Sequence, residues 1–147
     1  MATAMSGPAP RHLWIVGILS LLWNCYGAYE YLMTELDTAA YIEAGGFGPQ
    51  VTAWVAAFPT WVVAAWAIGV WASVAGSILL LLRSRHAAAA FLISLAGALV
   101  SFVYQFTSDR PVEVASGLPL IMPIAILILI AAQWLYARRQ AAAGVLR

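Results

Sequence analysis

Residues 59–85 read PTWVVAAWAIGVWASVAGSILLLLRSR, with no charged side chain from Pro59 to Leu82. That length and apolarity meet the ~20 residues a helix needs to cross a ~30 Å hydrocarbon core. The run stops at Arg83 and Arg85, and those arginines orient everything around it. Working outward, further apolar runs lie at about residues 12–33, 87–106 and 118–136. In lipid a spanning segment has to satisfy its own backbone hydrogen bonds, so each run reads as a helix.

The charges are sorted by side. Arg11, Arg83, Arg85, Arg138, Arg139 and Arg147 flank one end of the four runs. Glu30, Glu35, Asp37, Glu43, Asp109 and Glu113 flank the other, with Arg110 among them. Short arginine-rich segments stay in the cytoplasm. The expected fold class is therefore an all-α membrane protein, with four antiparallel transmembrane helices in an up-down bundle and both termini cytoplasmic. Aromatic residues agree with the ends of the runs: Trp14, Trp134 and Tyr136 at the inner boundary, Tyr29, Tyr31, Trp61 and Tyr104 near the outer one.

The organisation that follows is a disordered cytoplasmic lead over residues 1–11, one transmembrane domain over 12–136, and a cytoplasmic tail over 137–147. The one sizeable connection is the outer loop, 34–58. Within it Glu35 to Ala44 suits a short helix ended by Gly45 and Gly46. A second can begin at Pro49 and place Val51, Trp54, Val55 and Phe58 on one apolar stripe. Pro59 suits a first helical turn. Pro119 and Pro123 fall near the outer end of the last run, where they loosen its first turns.

Composition excludes several classes. Hydrophobic residues make up 64% of the chain and charged ones 9%, against roughly 25% charged in soluble domains. No basic cluster with interleaved aromatics is present to track nucleic acid. Cys25 is the one cysteine, so neither an intrachain disulfide nor a thiolate cluster forms. Trp23 and Asn24 precede it where a lipoprotein signal needs a small residue. The apolar run from Leu13 exceeds the ~7–15 residues of a cleaved signal's apolar region. Arginine in place of every lysine fits a GC-rich bacterial coding bias.

Small residues recur at helical spacing: Gly17, Ser20, Asn24 and Gly27; Gly69, Ser73 and Ser77; Ser94 and Ser101. Such faces let helices approach closely and exchange hydrogen bonds. Asn24 is the central strongly polar group of the first run and requires a partner, with Ser73, Ser77, Ser94 or a second copy as candidates. Glu30 lies about one turn inside the outer boundary, either as a boundary carboxylate or as a proton- or cation-binding one. Asn24, Glu30 and Gln105 are the candidate polar or transport site. His12 and His86 share the inner boundary, where two histidines can in principle hold a haem. Both lie beside arginines in a wet segment, so no cofactor or metal site is assigned. No phosphate loop, metal cluster or nucleophile elbow occurs, and no enzyme is expected.

Two stretches, LWIVGILSLLWNCYGAYEYLMTE (13–35) and FPTWVVAAWAIGVWASVAGSILLLLRSRHA (58–87), carry a resemblance. Together they resemble a family of small bacterial four-span membrane proteins, often automatically labelled "sugar transporter". The resemblance covers roughly residues 12–106 and implies the same four spans. It assigns no catalytic or binding residue.

The expected function is that of a bacterial inner-membrane protein without catalytic machinery. It acts through helix–helix or outer-loop contacts with itself or with a partner membrane subunit. The alternative is a transporter or channel for a small-molecule solute, sugar-transporter-like and working as an oligomer. Expected partners are the lipid bilayer and another membrane chain, with no nucleic acid.

Overall fold

The computed structural model describes residues 8–147 and is all-helical. Its elements are α1 (Arg11–Leu36), α2 (Thr38–Ala44), α3 (Pro49–Ala56), α4 (Thr60–Leu81), α5 (His86–Thr107), a 3-10 turn (Val112–Val114) and α6 (Leu118–Ala142). Most of the expected disordered lead, residues 1–7, lies outside the described residues.

α4, α5 and α6 are long and apolar enough to cross a membrane. α1, at 26 residues, is long enough but less apolar, because it carries Asn24, Glu30, Tyr26, Tyr29 and Tyr31. The four long helices alternate in direction. Along α1, Gly17 faces Leu81, Asn24 faces Ser73 and Ser77, and Tyr31 meets Trp66, so α1 and α4 run antiparallel. α4 packs most extensively on α5, α1 packs on α4, and α6 packs on α5 and meets α1 through Asn24–Gln133 and His12–Tyr136.

The polarity of these helices is inverted relative to a protein in water. The buried face of α1 is Leu13, Gly17, Ser20, Asn24, Ala28 and Thr34. Its outer face bears Ile15 at 59%, Leu19 at 61% and Leu22 at 64% exposure. An aqueous helix buries its large apolar residues. Here bulk faces outward and small or polar side chains face inward, the arrangement that lets helices approach closely.

α2 starts at Thr38, not at the expected Glu35. α1 continues to Leu36, and the Asp37 side chain accepts from Ala40 N at 3.1 Å to cap the new helix. α3 starts at Pro49 as expected, and Val51 and Ile42 join Val114 in a small separate core flanked by Phe47, Trp54 and Val55. Phe58 leaves that core and stacks edge-to-face between Trp54 and Tyr104. Pro59 is the N-cap of α4 and not part of its first turn.

At the opposite end of the bundle the residues after α6 also pack. α6 runs on to Ala142, and the residues after it fold back and do not trail away. Arg83, in the left-handed region at φ 59, turns the chain out of α4. Arg147 N then donates to Arg83 O at 2.7 Å and Arg85 N to Arg147 O at 2.8 Å. This clip seats Leu146, 4% exposed, in a core with Leu13, Leu80, Ala87, Phe91 and Ala137.

Candidate functional site

The centre of the molecule is built around Asn24. Its Nδ2 shares two hydrogens among three acceptors, Ser77 Oγ at 2.9 Å, Ser73 O at 3.1 Å and Gln133 Oε1 at 3.2 Å. One amide from α1 thereby ties α4 and α6 together. Ser77 Oγ also donates to Ser73 O at 2.9 Å, and Ser73 Oγ to Val70 O at 2.7 Å. Serines returning their protons to the preceding turn in this way leave no free donor in the buried interior.

Ser94 does not bond Asn24. It donates to Gly69 O at 2.5 Å across the α4–α5 seam. There a Cβ at Gly97 would stand 2.7 Å from both Ala65 O and Gly69 N, so only hydrogen fits. Gly17 packs against Leu81, while Ser20 and Ser101 are buried. Gly27 is the exception in the predicted packing face. No atom lies within 4 Å of a Cβ built there, so it makes no helix contact.

Glu30 belongs to a different neighbourhood. It accepts a hydrogen bond from Tyr41 of α2, and Tyr26 lies beside the same carboxylate. Tyr29 meets Tyr41 edge-to-face with centroids 6.3 Å apart. Burial first, and then the hydrogen bond and charge of Glu30, raise the Tyr41 phenol well above its ordinary value. Gln105 is elsewhere again, on α5, donating to Ser101 Oγ at 3.1 Å. The expected grouping of Asn24, Glu30 and Gln105 is therefore three separate places.

His12 Nδ1 lies 2.6 Å from the Tyr136 hydroxyl, an α1–α6 contact, while His86 stays exposed at the start of α5. At the end of the bundle that carries α2 and α3, Trp54 Nε1 donates to Ser108 Oγ at 3.0 Å and Gly48 N to Glu113 Oε2 at 2.8 Å. These bonds fasten α3 to the α5–α6 connection. Arg110 caps it, with its guanidinium 4.5 Å from the Phe106 ring centroid and Nη2 donating to Val114 O at 2.8 Å. A surface depression of about 400 Å³ opens beside this seam, lined by Trp54, Ala57, Tyr104, Thr107, Ser108 and Asp109.

Gln133 and Tyr41 were missed as partners. Gln133 did carry a signal, being the one amide in an otherwise apolar run. Tyr41 carried none, since its value depends on how α2 folds back over α1. No family model, curated protein or solved structure matches this chain.

Proposed function

We propose that the chain is a small bacterial inner-membrane protein that crosses four times with both termini in the cytoplasm. It works without catalytic machinery, through contacts of its helix faces or outer cap with itself or with a partner membrane subunit. The observation that carries this reading is the closed interior. Asn24, Ser73, Ser77, Ser94 and Gln133 bond one another or the backbone of the facing helix. Gly69 and Gly97 bring α4 and α5 into backbone contact, which leaves that seam no width for a solute. The apolar outer face of α1 and the one-sided arginines support a fourth span and its orientation.

A second reading, a small-solute transporter working as an oligomer, draws on Glu30. Its carboxylate stands near the outer boundary with no basic side chain against it among the described residues. Crosslinking in native membranes, followed by affinity purification and mass spectrometry, separates the two. A stoichiometric second membrane protein, or a self-assembly without flux in liposomes, is expected. A homo-oligomer that moves a solute, and loses that flux in an inserted Glu30→Gln variant, would overturn the proposal in favour of transport.

A further inference from the structure

We infer that Glu30, Tyr26, Tyr29 and Tyr41 form an outer-interface receptor for a cationic amine, the ammonium of an aminophospholipid headgroup or a soluble amine of the same chemistry. The inference needs a membrane boundary at this level. It is independent of whether the protein serves a partner or carries a solute.

Glu30 stands without a counter-charge among the described residues. It is half-buried at the end of an apolar helix, and no arginine or histidine reaches it among the described residues. Arg110, the one cation of the outer connections, is engaged by Val114 O and the Phe106 ring. A carboxylate at the edge of hydrocarbon is unfavourable without a compensating charge or hydrogen bonds. Tyr41 supplies one such bond from α2.

That bond also fixes what the site can accept. The Tyr41 proton is committed to Glu30, so its oxygen is left to receive hydrogen bonds. Together with the second carboxylate oxygen and the adjacent Tyr26 hydroxyl, the site presents acceptors. Tyr29 and Tyr41 stand edge-to-face beside it and add aromatic surface, which attracts cations to ring faces. One carboxylate with phenols falls short of the 6–8 oxygens that calcium takes. An ammonium, with three N–H donors for these acceptors and a single charge for the carboxylate, fits.

Access points to the bilayer. Tyr26 is 56% and Tyr29 53% exposed, on the outward face of α1 that also carries Leu19 and Leu22. The site therefore opens sideways at headgroup level and not into the helix interior, where Asn24 faces α4 and α6.

The test uses the full chain in nanodiscs of equal phosphatidylethanolamine and phosphatidylglycerol, with retained lipids counted by native mass spectrometry. Wild type is expected to favour phosphatidylethanolamine by about tenfold, the worth of one charge-assisted hydrogen bond. Glu30→Gln, which keeps the shape and can still accept from Tyr41, should bring the ratio near one. Glu35→Gln, an exposed acid outside the site, should leave it unchanged. Tyr26→Phe alters one exposed hydroxyl and should lower the ratio without unfolding the protein, whatever happens to the Glu30 variant. Free ethanolamine is added to discs of phosphatidylglycerol alone. Glu30-dependent protection against heating there, without lipid preference, assigns the site to a soluble amine. Identical lipid ratios in wild type, Glu30→Gln and Tyr26→Phe, with no ethanolamine effect, would overturn the inference.

Discussion

Asn24 occupies a position where the kind of polar atom matters more than its volume. Its Nδ2 faces a serine hydroxyl, a carbonyl oxygen and the Gln133 amide oxygen. Asn24→Ala removes the donor and leaves those acceptors short of a partner, a loss of about 1–3 kcal/mol. Asn24→Asp keeps the shape but sets an acceptor against Ser73 O and Gln133 Oε1, so it should destabilise more than alanine at neutral pH. Unfolding in mixed detergent micelles ranks the two. An aspartate variant as stable as wild type would show that the amide is not a donor here. The need for a partner at Asn24 was legible in the sequence, because an amide in an apolar run has to be satisfied. Ser77 was legible by depth. Gln133 was not chosen, because the lateral placement of α6 depends on packing that linear spacing does not encode.

At the scale of elements, the α4–α5 seam and the outer face of α1 treat glycine in opposite ways. A methyl at Gly97 would press on Ala65 O and Gly69 N at 2.7 Å, with backbone on both sides that cannot yield without separating the helices. Gly97→Ala is expected to lose about 1–3 kcal/mol, in the range of overpacked cores. Gly27→Ala meets open space and should be neutral or gain up to ~1 kcal/mol from helix propensity. Thermal melts of both variants in one detergent make the comparison, and equal destabilisation would discredit the assigned seam. The small-residue ladders of α4 and α5 announced a close approach in the sequence. The ladder of α1 looked the same with Gly27 included, since periodicity locates a stripe but not where the partner helix ends. The start of α2 was misplaced by three residues for a comparable reason. The local Asp37 cap overrides the apparent continuity of the sequence.

For the whole molecule, the proposed orientation can be read with cysteine chemistry because Cys25 is the one native thiol. In a Cys25→Ser background, Ala44→Cys should react with an impermeant maleimide in intact spheroplasts, and Ala143→Cys only after permeabilisation. Both sites are exposed. The two labelling together would remove the topology. Alternating helix direction was legible from short connections and sided charge. The clip of Leu146 and Arg147 against Arg83 and Arg85 was not, because so short a non-helical stretch carries no periodicity to betray where it docks. The position of Gln133 has a consequence in time. Ribosomes deliver the N-terminal part first, so α1 and α4 can meet, and Asn24 can engage Ser73 and Ser77, before α6 has been made. Of the three acceptors around Asn24, Gln133 arrives last, and Leu146 joins Leu13, Leu80 and Phe91 only after it. α6 thus closes on helices that can already have met, which makes it a latch of biogenesis and not its nucleus.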